Sequence, residues 1–389
     1  MSKFLVVLTD LAMGGITTAA TNMCNKLHDA GHEVDLLVMR DDRTDAGQNF
    51  RDGIGRVELK GVYRLWQLDP QTLRKEKNPV RWAVFAVLGT IKKIINRKSG
   101  WIRLVFGKRT IFSGYDCAIA YRQCAPCYHM VTRCVDAKKK IGFVHGDLYF
   151  MGDISSWQRY MHEFDAVAYV SDGVKDGFVR AYPQLQENCC TVYNMFDSQS
   201  IKERAEQDCN PEWPENTVKI VTVSRLENVT KAIHRIPVVC DRLKKQYGEC
   251  FVWYVIGNGP SYEYCAQKVK ELGLEKQLYF LGQRENPYSY MKQADICVLP
   301  SFTEAFPMTV CESLILGVPV VVARYPAAQE QICDGYNGIV AEQSEDSIAE
   351  KIGLLLEQPQ LLEQMKKNLA HYQYDNDRSL CQLMEVMED

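Results

Sequence analysis

The fold is decided by the stretch Ser301-Phe-Thr-Glu-Ala-Phe-Pro-Met-Thr-Val-Cys-Glu-Ser-Leu-Ile-Leu-Gly-Val-Pro-Val-Val-Val-Ala323. A short apolar run, Ala294-Asp-Ile-Cys-Val-Leu-Pro300, precedes it and is typical of a buried parallel strand. Pro307 suits the first turn of a helix, where a missing N–H is tolerated, and Gly317 with Pro319 ends that helix. The stretch therefore predicts a loop, a helix and a second buried strand.

Two carboxylates flank the start of this predicted helix. Glu304 lies in the loop, and Glu312 lies eight residues later on the helix. The residues of the helix start are Phe306, Pro307, Met308 and Thr309. A helix start carries about half a positive charge and unpaired N–H groups, so it binds anions readily. Carboxylates on both sides of a phosphate-binding helix start favour a ligand with phosphate and hydroxyl groups, a sugar nucleotide.

Two cations follow the end of another predicted strand, in Val223-Ser-Arg-Leu-Glu-Asn-Val-Thr-Lys231. We expect Arg225 and Lys231 at the carboxyl edge of the second sheet, where they can neutralise a diphosphate as it leaves. The alternative is a pair of solvated surface charges, which is the usual state of lysine and arginine. The neighbouring helix start favours the functional interpretation.

Glycine turns and a histidine end three further strands. Gly14 and Gly15 follow the strand that begins at Lys3, and Gly257 and Gly259 follow Phe251-Val-Trp-Tyr-Val-Ile256, where they let backbone approach a ligand. Neither pair has the GxGxxG spacing of nicotinamide cofactors.

His145 ends a strand of the first half, in Val144-His145-Gly-Asp147. There it can hydrogen-bond a sugar hydroxyl or assist proton movement. A buried structural histidine is the alternative, and the residues themselves do not decide between the two.

Length and composition predict two globular α/β domains. A chain of 389 residues is too long for one ordinary core, and 46% hydrophobic with 24% charged residues is typical of globular proteins. Strands alternate with helices in both halves, which predicts two Rossmann-like doubly wound domains facing a cleft. The expected bounds are 1–196, 197–375 and a tail, 376–389, that packs back on the N-terminal domain.

The cysteines favour a reducing compartment. There are 15, an odd number without a repeating spacing, so a disulfide framework is not expected. Cys124-Ala-Pro-Cys127 is a CxxC pair, but no second pair follows, and ordinary thiols are favoured over a redox or metal function.

Phe4-Leu-Val-Val-Leu8 is interpreted as a buried strand and not as a signal peptide. We expect a cytoplasmic protein.

The segment 56–109 differs from the rest in charge. It contains 14 Lys or Arg against three acidic residues, whereas the whole chain has a net charge of -3. Its apolar run, Trp82 to Ile91, is too short to span a bilayer and is flanked by basic residues. We hypothesise an interfacial helix pair that docks on an anionic membrane surface. The alternative is that its apolar faces pack on the N-terminal sheet. Nucleic acid is not expected as a partner, because no RNA-binding module or DNA-recognition motif accompanies the basic residues.

Together these motifs resemble those of the retaining GT-B glycosyltransferases of family 4, the glycosyl transferases group 1. The resemblance is continuous from about Val218 to Val340 and thinner in the N-terminal half. The residues that carry it are Gly14, Gly15, His145, Arg225, Lys231, Gly257, Gly259, Glu304 and Glu312, followed by Pro326-Ala-Ala-Gln-Glu330 and Asp334-Gly-Tyr-Asn-Gly338. The chain departs from the family pattern at Ala305 and at Ala327-Ala328, where glycines are common.

The resemblance implies a role for each site residue. Arg225 and Lys231 would hold the donor diphosphate, and Glu312 would bind the ribose hydroxyls. Glu304 and His145 would lie by the transferred sugar and are the catalytic candidates. The remaining donor contacts would be Gly14, Gly15, Gly257, Gly259, Phe306, Pro307, Met308 and Thr309. The domain 1–196 would bind the acceptor, and the domain 197–375 would bind the sugar nucleotide.

The expected reaction is transfer of a hexose, with retention, from a UDP- or GDP-sugar to a hydroxyl of a glycan or lipid-linked acceptor. It would serve surface polysaccharide or glycolipid synthesis, with the enzyme peripheral on the inner face of the cell membrane. No metal or other cofactor is expected, although Asp375-Asn-Asp377 matches a DxD pattern. The alternatives are a sugar-nucleotide 2-epimerase or a phosphorylase of the same architecture, or a non-catalytic sugar-nucleotide-binding scaffold. The presence of Glu304 and Lys231 argues against the scaffold.

Overall fold

A computed structural model describes most of the chain. The described residues are 1–12, 14–40, 50–60, 63, 106–147, 154–207 and 213–388. The chain divides into two compact units. The N-terminal unit consists of Met1–Val170, Lys175–Met195 and Asn376–Asp389, and the C-terminal unit of Ser171–Val174 and Phe196–Asp375. Both are parallel α/β structures, which confirms the predicted fold class.

The N-terminal unit contains seven parallel strands among the described residues, in the order β3-β2-β1-β4-β5-β6-β7. They are β1 Lys3–Leu8, β2 Glu33–Val38, β3 Gly55–Val57, β4 Phe112–Ala120, β5 Val135–Val144, β6 Ala166–Tyr169 and β7 Cys189–Thr191. The helices are Gly15–Asp29, Ala125–Cys134, Ser155–Gln158, Asp172–Ala181 and Asn376–Glu388, with 3-10 turns at Met161–Glu163 and Pro183–Asn188. The central strand β1 is apolar because both of its faces are covered.

In the described part of the C-terminal unit there are six parallel strands, in the order β10-β9-β8-β11-β12-β13. They are β8 Val218–Val223, β9 Phe251–Ile256, β10 Leu278–Gly282, β11 Ile296–Leu299, β12 Val320–Ala323 and β13 Gly338–Ala341. The helices are Ser198–Ala205, Arg235–Tyr247, Tyr262–Glu271, Tyr288–Gln293, Met308–Ile315, Ala328–Gln331, Glu345–Glu357 and Pro359–Leu369.

The core of the C-terminal unit includes one polar chain. Trp253 is fully buried on β9, and its indole Nε1 donates to Thr222 Oγ1 at 3.0 Å. The Thr222 hydroxyl in turn donates to the Val298 carbonyl at 2.7 Å. Because each buried polar group has a partner, three neighbouring strands are tied together without an unpaired donor.

Strand order places the candidate site. In each unit the chain runs outward from a central strand and then returns to that strand's other side, between β1 and β4 and between β8 and β11. Open α/β sheets bind ligands beyond the carboxyl ends of the strands at such a reversal. The loops that follow these four strands are therefore where function is expected.

The basic segment 56–109 lies largely outside the described residues, and its membrane docking stays a prediction. Within the part of the chain that the structure describes, no helix is long and apolar enough to cross a membrane.

Candidate functional site

The loop after β8 is built around a buried carboxylate that the sequence interpretation missed. The Glu227 carboxylate accepts hydrogen bonds from the backbone N–H groups of Val229 at 2.7 Å, Thr230 at 3.2 Å and Lys231 at 3.0 Å, and from the Thr230 hydroxyl. Burial raises the pKa of Glu227, but these hydrogen bonds outweigh it and lower the pKa below the ordinary value. Glu227 thereby fixes the turn that presents Lys231. The Glu-x-x-Thr spacing was the available signal in the sequence.

Lys231 and Glu304 form an ion pair across the reversal between β8 and β11. Lys231 Nζ lies 2.7 Å from both carboxylate oxygens of Glu304, and the Ser301 hydroxyl donates to Glu304 Oε1 at 2.7 Å. The side chain of Glu304 is 8% exposed and that of Lys231 is 27% exposed. Two residues that the sequence analysis singled out, from different loops, thus form one ion pair. Its carboxylate is buried, and its ammonium group is partly exposed to solvent.

The residue after Lys231 has an unusual backbone conformation. Ala232 is fully buried with φ of 50°, in the region that favours glycine. Such a residue stores strain of about 1–3 kcal/mol and persists where the surrounding structure fixes it. Ala305 is not among the positive-φ residues, so alanine fits where the family commonly has glycine.

The helix after β11 begins where the sequence predicts. Pro307 is its N-cap, and the helix runs over Met308–Ile315 without a side-chain cap. Phe306, Pro307 and Met308 are buried. Thr309 is half-buried, and its hydroxyl donates to the Val223 carbonyl at 3.3 Å, which ties the helix start to the end of β8. The positive end of the helix therefore lies at the same sheet edge as Lys231.

Glu312 lies on that helix in a buried polar group. The Tyr288 hydroxyl donates to Glu312 Oε1 at 2.9 Å, and the guanidinium of Arg204 lies 4.7 Å from the centre of the Tyr288 ring. Burial raises the pKa of Glu312 to about 7, and the hydrogen bond from Tyr288 and the charge of Arg204 limit the rise. Sequence analysis missed Tyr288 and Arg204, because they come from distant helices without a motif.

Arg225 is the most accessible of the predicted residues. Its side chain is 70% exposed, and its guanidinium lies 3.6 Å from a carboxylate oxygen of Glu227. An exposed arginine at this position is free to reorient toward an anion, since a surface ion pair of this kind contributes about 0–1 kcal/mol.

Gly257 and Gly259 support the loop of Arg225. A Cβ at Gly257 would lie 1.8 Å from the Ser224 carbonyl oxygen, and one at Gly259 would lie 2.3 Å from that of Leu226. Both glycines also have positive φ, 145° and 159°. Their packing against the β8 loop is thus a structural requirement, beside the predicted contact with a ligand.

In the N-terminal unit, Gly14 and Gly15 are exposed at the start of the helix Gly15–Asp29. Gly14 is the N-cap in an extended conformation, with no side-chain cap, and a Cβ at Gly14 would meet no atom within 4 Å. Neither sterics nor backbone strain requires glycine at Gly14. The predicted role in ligand approach stays a prediction.

His145 follows β5 and is held by neighbouring backbone and rings. Its backbone N–H donates to Gln123 Oε1 at 3.1 Å. The centres of the His145 and Tyr121 rings are 4.5 Å apart. Burial lowers the pKa of His145 to about 4, while a hydrogen bond to the Tyr121 backbone opposes this shift. The imidazole is therefore neutral at pH 7. Its Nε2 is buried without a partner among the described residues, and is suited to accept a hydrogen bond.

No group of three or more metal-ligating side chains occurs in the described ranges. The Asp375-Asn-Asp377 pattern spans the end of the C-terminal unit and the start of the helix Asn376–Glu388.

The site belongs to a recognisable class of domain. Residues 203–371 match the model of the family Glycosyl transferases group 1. HepE from Anabaena, solved in complex with UDP and glucose, superposes with a TM-score of 0.70 at 18% identity, over 100% of both chains. A mutant of S. aureus TarM, solved with Fondaparinux, alpha-GlcNAc-glycerol and UDP, gives a TM-score of 0.70 at 11% identity, over 100% of both chains. These likenesses show that the chain has the GT-B fold.

Curated relatives match over shorter stretches. The O-antigen biosynthesis glycosyltransferase WclY of Escherichia coli is 27% identical over 204 residues, which is 49% of this chain and 55% of the relative. The N,N'-diacetylbacillosaminyl-diphospho-undecaprenol alpha-1,3-N-acetylgalactosaminyltransferase of Campylobacter jejuni is 35% identical over 103 residues, 26% of this chain and 27% of the relative. The matched regions thus span about half of the first relative's length and about a quarter of the second's.

Proposed function

We propose that the protein is a glycosyltransferase that moves a hexose, with retention, from a UDP- or GDP-sugar to an acceptor hydroxyl. The observation that carries the proposal is the ion pair of Lys231 and Glu304 beside the start of the helix Met308–Ile315. It lies at the strand reversal of a domain that matches the glycosyl transferases group 1 model.

In this proposal the diphosphate competes with Glu304 for Lys231. The Lys231 ammonium group is paired with Glu304, and a diphosphate would offer it more negative charge than one carboxylate. The helix start adds N–H donors, and the accessible Arg225 swings toward the phosphates. These charges stabilise the leaving nucleoside diphosphate without an essential metal.

Glu304 would then face the transferred sugar, and Glu312 the ribose. A carboxylate accepts hydrogen bonds from two neighbouring hydroxyls, but a protonated carboxyl group also donates one. Because the pKa of Glu312 is raised to about 7, ribose binding is expected to favour its ionised form and to release a proton near neutral pH.

The acceptor is proposed to be a glycan or a lipid-linked sugar of surface polysaccharide or glycolipid synthesis. Two observations support this. One relative is named for O-antigen biosynthesis, and the name of another includes diphospho-undecaprenol. The basic composition of 56–109 supports a cytoplasmic protein that is peripheral on the anionic inner face of the cell membrane.

A donor screen tests the proposal. The protein is incubated with UDP- and GDP-hexoses, with and without undecaprenyl-diphosphate-linked sugars or glycans, and both nucleoside diphosphate and product mass are measured. We expect one donor to give acceptor-dependent release and a product heavier by one hexose residue. Equal rates with and without a chelator would support a metal-independent reaction. An epimerised sugar without transfer would contradict the proposal, and so would nucleotide binding without release for every pair.

A further inference from the structure

The CxxC pair lies at the functional edge of the N-terminal unit, just after β4. Cys124 is the N-cap of the helix Ala125–Cys134, with extended φ and ψ of -156° and 152°, and Pro126 lies in the first turn. Cys124 is half-buried and Cys127 is fully buried. An N-cap side chain lies over the first turn, next to the residue three positions later, and a disulfide needs Cβ atoms about 3.5–4.5 Å apart. The two thiols are in hydrogen-bond contact, so Cys124 and Cys127 face each other at the helix start.

The surroundings make the two thiols unequal. A hydrogen bond from the Cys127 thiol lowers the pKa of Cys124 against the effect of burial, and the charge of Arg122 lowers it further, while that of Asp10 opposes this shift. Burial raises the pKa of Cys127 well above the ordinary value, and the neighbouring Cys124 adds to this. Arg122 is fixed in place, because its Nη1 lies 3.0 Å from both Asp10 Oδ1 and Thr9 Oγ1. Cys124, the less buried residue with the more acidic thiol, is thus suited to be the nucleophile, and the fully buried Cys127 to be the resolving group.

A second cysteine pair, Cys189 and Cys190, shows that closeness in the sequence does not by itself give one acidic and one buried thiol. Cys189 and Cys190 are also half-buried, but burial raises the pKa of both, and Cys189 points its thiol at the Leu185 carbonyl, 2.8 Å away. That pair begins β7, and neighbouring residues on a strand point to opposite faces. It is therefore a matched control.

We propose that Cys124 and Cys127 form a redox-active dithiol whose reaction partner is a low-molecular-weight disulfide. The Cys124 thiolate attacks one sulfur of the small disulfide, forms a mixed disulfide and releases one small thiolate. Cys127 then passes its proton to the released small thiolate and attacks the Cys124 sulfur, which releases the second small thiolate to be protonated by solvent. The two cysteines lose two electrons and two protons, and the small disulfide is reduced to two thiols.

Titration of the full-length protein with glutathione tests the proposal. Samples equilibrated at increasing ratios of oxidised to reduced glutathione are quenched with acid, alkylated and analysed by peptide mass spectrometry. We expect a species two hydrogens lighter that links Cys124 to Cys127, grows with the ratio and is reversed by dithiothreitol. The exposed Cys250, Cys333 and Cys381 should only take up glutathione. Cys124 that stays reduced or glutathionylated at every ratio, or linkage of Cys189 to Cys190 at the same ratios, would overturn the proposal.

Two further measurements separate the roles of the sulfurs. In Cys127→Ser the mixed disulfide at Cys124 should accumulate, and in Cys124→Ser the buried Cys127 should stay unmodified. If either variant fails to fold, the glutathione titration and the iodoacetamide reaction of the unaltered protein still test the proposal. Iodoacetamide at pH 7 should modify Cys124 about tenfold faster than the more exposed Cys333, because the thiolate is the nucleophile. Slower modification of Cys124 than of Cys333 would refute the assignment.

Discussion

Replacing Glu304 by glutamine separates the two roles that the site gives this carboxylate. Glu304 holds Lys231 at 2.7 Å, so it would compete with an incoming diphosphate for the lysine and would also repel it. The substitution preserves the shape and the hydrogen bond from Ser301 but removes the charge. We therefore expect tighter binding of the free nucleoside diphosphate, together with slower transfer.

The size of the effect follows from the charge separation. At an effective dielectric constant of about 20, two unit charges about 4 Å apart interact by about 4 kcal/mol. Lys231 is 27% exposed, and solvent and ions reduce this value, which we discount to about 1–2 kcal/mol. The dissociation constant of UDP or GDP should thus fall about 5- to 30-fold. Turnover should fall about 100-fold or more, because the charge that faces the reacting sugar is lost.

Titration calorimetry with UDP and GDP measures the first quantity, and release of nucleoside diphosphate measures the second. Asp295→Asn is the matched control, since Asp295 forms an ion pair of 2.6 Å with Lys366 at the amino end of β11, the opposite edge of the sheet. The control should leave nucleotide affinity unchanged. Equal or weaker nucleotide binding by a folded Glu304→Gln protein would refute the competition between carboxylate and diphosphate.

Four further outcomes are expected. Lys231→Met should raise the dissociation constant of the nucleoside diphosphate about 10- to 100-fold by calorimetry, since one charge-assisted contact is lost; unchanged affinity would remove Lys231 from the site. Because the pKa of Glu312 is raised to about 7 in the folded state, unfolding free energy falls as pH rises from about 4.5 to about 7. Urea titrations at about pH 5 and pH 8 measure this fall in unfolding free energy. It should be about 3 kcal/mol smaller in Glu312→Gln than in the unaltered protein, and the same pH dependence in both proteins would contradict the raised pKa of Glu312. Gly257→Ala should lower the free energy of unfolding by about 3 kcal/mol or more in the same assay, because the added Cβ would clash with the Ser224 carbonyl. Gly177→Ala has open space around it and should raise the free energy of unfolding by about 0.5–1 kcal/mol. Similar values for both variants would be inconsistent with the close packing at Gly257. The ring signals of His145 should stay constant by NMR between about pH 5.5 and pH 8, since its pKa is lowered to about 4, and titration near pH 6.5 would show that the ring is not enclosed.

Much of the fold was predictable, because buried parallel strands and helix ends leave local signals. The strand Lys3–Leu8 and the helix that follows Pro307 lie within a residue of their predicted positions. The strand Gly55–Val57 was not predicted, because three residues carry no periodicity. The strand after Asn337 was also missed; Gly338–Ala341 is the edge strand β13, which pairs with β12.

The site was predictable where one loop contains its own motif. Glu304, Arg225 and Lys231 lie in loops after strands, and Glu312 lies on the helix Met308–Ile315, so their places in the fold were predictable. Their roles toward a ligand stay predictions. The partner of Glu312 was not predictable, since Tyr288 comes from a helix 24 residues away in sequence and meets it only through packing. The same holds for the asymmetry of the CxxC thiols, which depends on burial that a sequence pattern does not state.

The most direct test of the central claim is a crystal structure of the protein with a bound nucleoside diphosphate. We predict that the diphosphate lies within hydrogen-bond distance of Lys231 Nζ and of the N–H groups at the start of the helix Met308–Ile315, and that Glu312 accepts hydrogen bonds from the ribose hydroxyls. A nucleotide bound elsewhere, or one that leaves the Lys231–Glu304 pair intact, would contradict it.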